Sequence, residues 1–334
     1  MTKRQSPTIY DVARTAGVSI TTVSRVLNSP ELVNDDTRLN VLAAINELGF
    51  VPKAEARARA LRSSGRVGVI TPFFTAPSFV QRLRGIASVI TPTNYELVVY
   101  PVDTLQRLNS YLETLPLTHN LDGLILISVS LHAAIARRLI QHQLLAVLIE
   151  HPVELLSCVE IDDLEGGRMA AEYLLKKGHN RLAFVGEKEI PAYGVNPINT
   201  RLAGFRRVLE EKQIPLTVEQ IWEAPYNVEA TRLLLLERFK NHNPPTAIFA
   251  ATDLQAIGAL KAARKLGMRV PDDLAILGFD DLDMSEYIGL STIKQPLDES
   301  GRIAVELLFS QLLEPDRPVR HIQLPLKLIE RETT

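Results

Sequence analysis

The chain has 334 residues, 46% of them hydrophobic and 23% charged, with 37 Lys and Arg against 39 Asp and Glu. That composition belongs to a globular protein large enough for more than one domain, and it excludes a disordered or collagen-like chain. The single cysteine, Cys158, excludes an intrachain disulfide and a cysteine zinc cluster. No apolar run reaches the roughly 18 residues of a membrane span. The start, MTKRQSPTIY, lacks the apolar stretch of a signal peptide, so the expected location is the cytoplasm. The net charge of −2 hides an asymmetry, because residues 1–62 hold nine Lys and Arg against six Asp and Glu. The amino-terminal segment is therefore basic and the remainder acidic, which points to nucleic acid at one end of the chain.

In chain order, Ile9, Val12, Ala13 and Ala16 recur at helical spacing, and Gly17 ends that helix. Ser19 is an N-cap for a second helix, in which Val23, Val26 and Leu27 turn inward while Ile20, Thr21, Ser24 and Arg25 face out. Two short helices joined by a glycine turn make a helix-turn-helix, whose second helix can lie in a DNA major groove. Asn34 or Asp35 caps a third helix with Val41, Leu42, Ile45 and Leu48 on its apolar face, and Gly49 suits its end. Pro52 bounds the segment KAEARARAL, about nine residues and too short to be a stable helix alone. From Arg66 on, apolar runs alternate with helical stretches. Strands are expected at 67–71, 96–100, 123–128, 146–149 and 159–161, then at 182–185, near 221, at 247–250 and at 274–277. Helices are expected at 79–90, 105–115, 133–141, 165–177, 201–212, 228–240 and 254–266. The fold class is α/β: an all-α amino-terminal head followed by two doubly wound lobes. The end of the sequence, KLIERETT, reads as a strand and a polar tail and not as an extra helix for a tetramer, so a dimer is expected.

The words YDVA, AGVS and TVSRVLN, with EIDDLEGG, HNRLAFVG, TRLAGF, PPTAIFAATD, VPDDLAILGFDD and STIKQP, resemble the lactose-repressor/galactose-repressor family along nearly the whole chain. The resemblance implies a helix-turn-helix head at 1–52, a hinge at 53–64 and a periplasmic-binding-protein-like core at 65–334. It divides the core into lobe 1 (about 65–161 and 293–322) and lobe 2 (about 162–292 and 323–334), with crossings near Asp162, Thr292 and Gln323. It places Ile20, Thr21 and Arg25 on bases and Ser19, Thr22 and Asn28 on phosphates. The chemistry agrees, because a guanidinium bonds guanine in a bidentate way and small hydroxyls bond phosphate. In the family a hinge Leu wedges the minor groove. Here Arg59 holds that position and Leu61 lies two residues on, so either residue is a candidate.

Around an effector between the lobes the resemblance places Ser78, Phe79, Arg201, Tyr226, Asp253 and Asp280. Arg and carboxylates suit paired hydroxyls, and aromatic faces suit the C–H side of a sugar ring. Arg201 could instead pair with a structural carboxylate, Tyr226 could be packing, and Asp253 and Asp280 could cap helices. Phe73 and Phe74 are candidate extra wall residues, with core packing the favoured account. Asp162 and Asp163 are neighbours in a crossing strand, so they point apart and cannot share a substrate. Gly166 and Gly167 are expected to serve close packing, not a phosphate loop. No GxSxG, HExxH, GxxxxGK[ST] or GxGxxG occurs, so no enzyme, metal or cofactor is expected. The expected partners are a palindromic DNA operator, a small-molecule effector of sugar type and a second copy of the chain. Two alternatives stay open: the same DNA-binding role with a purine or phosphoprotein corepressor, and a sugar-binding protein that does not bind DNA.

Overall fold

The computed structural model describes residues 7–28, 32–48, 50, 64–187, 189, 191–214, 216–240 and 244–334. Arg59 and Leu61, with the rest of 53–63, lie outside the described residues, as do Gly49 and the side chain of Asn28. The chain divides into a unit at Met1–Ser64 and another at Gly65–Thr334.

The first unit packs α1 (Ile9–Ala16), α2 (Ile20–Asn28) and α3 (Asp35–Leu48) around Val12, Ala13, Ala16, Val23, Val26, Val41 and Ala44. Each helix start is chemically marked. Asp11 accepts both the backbone N–H and the hydroxyl of Thr8, Ser19 Oγ accepts the N–H of Thr22 at 3.1 Å, and Asn34 Oδ1 accepts the N–H of Thr37 at 2.8 Å. Gly17 turns the chain at φ 65°, where a side chain would be strained. Asn40 Nδ2 then donates to the Ala16 carbonyl and ties α3 to the turn. Leu42 is a correction. It is 41% exposed, and Ala44 takes the inward position beside Val41.

The second unit holds two sheets. The first has strand order β11-β5-β4-β3-β1-β2, comprising β1 (Arg66–Pro72), β2 (Glu96–Val102), β3 (Gly123–Ile127), β4 (Leu145–Ile149), β5 (Ser157–Ile161) and β11 (His321–Leu324). The second has order β12-β10-β9-β8-β6-β7, comprising β6 (Leu182–Gly186), β7 (Ile221–Glu223), β8 (Ala247–Ala250), β9 (Ala275–Asp280), β10 (Ser291–Lys294) and β12 (Lys327–Ile329). All pairings are parallel except β10 with β12. Both faces of each sheet are covered, which is why β3 reads GLILI without polar alternation. On one side Leu124 and Leu126 meet α5 (Leu105–Thr118) and α6 (Ala133–Gln141). On the other, Ile125 and Ile127 meet α4 (Pro77–Ile90) and α12 (Leu297–Leu313), the latter following the short α11 (Asp283–Tyr287) in the chain. The second sheet lies between α7 (Asp163–Lys176) with α8 (Pro197–Glu211) and α9 (Val228–Arg238) with α10 (Asp253–Lys265).

The chain passes between lobes at Asp162, at Gln295–Pro296 and at Pro325–Leu326. The last two lie slightly beyond the expected positions. Ile293 and Lys294, expected in the first lobe, extend β10 against β9 in the second, and Gln323 and Leu324 complete β11 in the first. Asp162 is a helix cap, not a strand residue, with its carboxylate accepting the Glu165 N–H at 2.9 Å. The polar tail also packs, since Thr333 is 4% exposed and its hydroxyl donates to the Ile276 carbonyl.

Gly166 and Gly167 sit inside α7. A Cβ on Gly167 would lie 1.9 Å from the Arg201 carbonyl oxygen, and one on Gly204 would lie 1.9 Å from that of Leu164. The two helices thus touch backbone to backbone, and backbone cannot swing aside as a flexible side chain can. Gly204→Ala is expected to destabilise the core by about 1–3 kcal/mol or more, read as a lower urea midpoint. An unchanged midpoint would contradict the close crossing.

Candidate functional site

In the first unit, the exposed face of α2 collects Ile20, Thr21 and Arg25, with the capping Ser19 beside them. Ile20 is 40% exposed although it is aliphatic, while Val23 and Val26 of the same helix are buried. Thr22 is half-buried, and its hydroxyl lies 2.9 Å from Ser19 Oγ. The face therefore presents one guanidinium, hydroxyls and one apolar contact at the start of a helix, where backbone N–H groups also face outward.

In the second unit a cavity of about 700 Å³, its open mouth included, lies between the sheets. Its wall is made at the carboxyl ends of parallel strands, the usual ligand position in such sheets. Phe73 follows β1, Ser128 follows β3, Glu150 follows β4, Glu187 follows β6, Tyr226 follows β7, Thr252 follows β8, and Asp280 ends β9. The first two turns of α4 and α8 add Ser78, Phe79, Arg82 and Arg201. Four wall residues hold left-handed backbone: Phe73 at φ 49°, Ser128 at 52°, Glu150 at 83° and Asp280 at 125°. Such conformations cost about 1–3 kcal/mol each and gather where a site fixes its side chains.

Arg201 is 3% exposed. Its Nε donates to Asp163 Oδ1 at 2.8 Å and its Nη1 to the Ala251 carbonyl at 2.7 Å. The guanidinium lies 3.6 Å over the Phe279 ring centroid. Arg201 thus has both a structural carboxylate and a place on the wall. Burial raises the Asp163 carboxyl, and Arg201 opposes that rise. Asp280, also on the wall, accepts from Gln295 Nε2, and burial raises its carboxyl too. It caps no helix. Ser78 Oγ and Tyr226 Oη meet at 3.3 Å across the lobes, and desolvation pushes the Tyr226 hydroxyl up.

Asp253 is different. It is fully buried and off the cavity wall. Its carboxylate accepts the Leu282 N–H at 2.8 Å, the Ser285 hydroxyl at 2.6 Å and the Thr292 hydroxyl at 2.6 Å. The preceding residue, Thr252, caps α10 and takes the wall position. Phe73 and Phe74, favoured for core packing over a place on the wall, are 46% and 41% exposed, and Phe73 lies on the wall and meets Phe79 edge-on at 6.0 Å. Sequence reasoning did not reach Arg82, Ser128, Glu150, Glu187, Thr252 or Gln295. Arg82 is 3% exposed, pairs with Glu150 and donates to Gln295 Oε1 at 3.2 Å. Ser128 donates to the other oxygen of Glu150. Among the described residues no group of His, Cys, Asp and Glu is arranged to hold a metal ion. No helix among them is long and apolar enough to cross a membrane.

This arrangement, a three-helix head with an exposed recognition face plus two strand-end lobes around a cavity lined by aromatic, charged and hydroxyl side chains, defines a ligand-binding DNA regulator. Comparison with known proteins agrees. Residues 8–53 match the model of bacterial regulatory proteins of the lacI family, and 171–334 match a periplasmic binding protein-like domain. The ribose operon repressor of Halalkalibacterium halodurans is 32% identical over 331 residues, 98% of this chain and 97% of that protein. The lac repressor dimer bound to operator and the anti-inducer ONPF aligns with a TM-score of 0.76 at 28% identity, over 98% of this chain and 99% of that one. A LacI family regulator from Enterococcus faecium with bound ribose aligns at 0.71 and 26% identity, over 80% of this chain and 98% of that one. The chain belongs to the lacI family of bacterial transcriptional regulators.

Two outcomes test the site. Breaking a buried ion pair leaves one charge unmatched, so Arg201→Met is expected to cost about 3–5 kcal/mol in urea unfolding. Adding Asp163→Leu should recover most of that loss, and a double variant no better than the single one would contradict the pairing. Burial raises the Asp253 carboxyl first, and the Asp280 charge adds to it. A raised folded-state value favours folding below the ordinary carboxylate range, and that contribution is lost as pH climbs through the raised value. The stability of wild type relative to Asp253→Asn should therefore fall from about pH 4 to about pH 7. A difference that grows over that window would contradict the assignment.

Proposed function

We propose that this protein is a homodimeric, sugar-responsive repressor that works in the cytoplasm, reads a palindromic operator and catalyses no reaction. The observation that carries the reading is the cavity. Aromatic rings from both lobes, Phe79 and Tyr226, face a wall of guanidinium, carboxylate and hydroxyl groups, a set suited to a polyhydroxylated ring. The sugars bound by structural relatives support the same class. Ser78, Phe79, Arg201, Tyr226 and Asp280 are assigned to the effector, now joined by Thr252. Asp253 is assigned to support them from behind. Ser19, Ile20, Thr21, Thr22, Arg25 and Asn28 are assigned to DNA, with Arg59 or Leu61 at the operator centre.

The mechanism is linkage. A ligand that bonds both lobes favours one degree of closure, and any difference in DNA affinity between closures then becomes ligand control. Thermal unfolding against neutral mono- and disaccharides tests the effector. A ligand at about 100 times its Kd adds about 2.7 kcal/mol, or roughly 5–10 °C in midpoint. A purine that raises the midpoint when no sugar does would replace the sugar reading. For DNA, Thr21→Ala and Arg25→Ala should each lose about 1–3 kcal/mol of discrimination between selected and scrambled duplexes in fluorescence anisotropy. Unaltered preference in both variants would remove α2 from base reading.

A further inference from the structure

The charges around the cavity are not balanced. Each of its two wall guanidiniums already has an internal carboxylate: Arg82 is paired with Glu150, and Arg201 with Asp163. Two further carboxylates on the wall, Asp280 and Glu187, make no ion pair within 4.0 Å among the described residues, although Arg201 and Arg82 both attract Asp280 from farther off. Asp280 is held by the neutral amide of Gln295, and Glu187 accepts the Tyr226 N–H at 3.3 Å. A ligand entering this space therefore meets an excess of negative charge in a partly dehydrated setting, where charge interactions are weakly screened. What the wall offers instead is hydrogen bonding to neutral groups. Carboxylate oxygens accept from ligand hydroxyls.

We infer that the cavity selects uncharged sugars and rejects their phosphate esters and uronic acids, and that Glu187 is the specificity-determining residue for this exclusion. The inference rests on the effector reading above and narrows it to a ligand class. Glu187 suits the role because it stands at the carboxyl end of β6 and, unlike Arg82, Glu150, Arg201 and Asp163, belongs to no ion pair among the described residues. Burial also raises its carboxyl, as expected for a negative charge with no counter-ion beside it among the described residues. A phosphate or carboxylate on the ligand would have to sit against it.

The test is isothermal titration of the full chain with matched probes: D-ribose and D-ribose 5-phosphate, D-glucose with D-glucose 6-phosphate and D-glucuronate, and D-galactose with D-galacturonate. In each set that binds, the anionic member is expected to bind about tenfold or more weaker than its neutral parent. Glu187→Gln should shrink that ratio by about tenfold, with an unfolding midpoint without ligand that shows the variant is folded. An anion that binds wild type as tightly as its parent overturns the inference and leaves the cleft as the effector site. A ratio unchanged in folded Glu187→Gln overturns the role of Glu187. Silence from every probe removes the sugar reading, and this inference with it.

Discussion

The buried pair of Arg201 and Asp163, stacked on Phe279, is where architecture and recognition meet in the core. Arg201 comes from α8 and Asp163 from the first turn of α7, the helix that begins as the chain enters the second lobe. The pair can form only because the two helices cross at backbone contact, with glycine at 167 and 204. A guanidinium placed there loses its water, so it needs the carboxylate, the Ala251 carbonyl and the ring face together. In return it holds a fixed donor array at the cavity wall, with little rotamer freedom left to lose when a ligand binds.

The same logic runs through the rest of the cleft. Glu150 fixes Arg82, Gln295 joins Arg82 of the first lobe to Asp280 of the second, and Ser78 meets Tyr226 across the opening. Farther out, Arg84 on α4 bonds Asp298 in its own lobe and Asp283 in the other, and Gln81 also bonds Asp283. At the back, the backbone N–H of Ser130 donates to the Tyr193 carbonyl and that of Val195 to Ser128. The lobes are thus joined by polar contacts, which can exchange for water as the cleft opens. The apolar cores stay mostly within each lobe, with Tyr193 reaching into the first. That division is what a two-state closure requires.

The fold was largely legible in the sequence. Runs such as GLILI and AIFA can only be strands covered on both faces, and their alternation with helical periods gives doubly wound lobes. Helix α12 is less legible because its buried positions include Gly301 and Ala304 beside Leu297, Val305 and Leu308, so small contact residues carry part of its period. Two crossing positions shifted by two to four residues because strand pairing, not local sequence, decides where β10 and β11 stop. For the site, Arg82 was within reach, since it lies one helical turn from Ser78 on the same face. Glu150 and Glu187 each directly follow an apolar strand run, the position where such sheets bind ligands. Asp253 misled because motif position does not say which of two adjacent side chains turns under the helix. Here the three donors of Leu282, Ser285 and Thr292 draw the carboxylate inward and leave Thr252 on the wall.

Control of DNA by the cleft ligand is best measured as reciprocal linkage. Operator affinity would be titrated with and without the sugar that binds the cleft, and sugar affinity with and without a selected operator duplex, using the full chain. The two ratios should be equal, because linkage is symmetric, and should reach about fivefold or more. A sugar that binds the cleft while leaving operator affinity unmoved would separate the two units functionally and contradict ligand control of DNA binding.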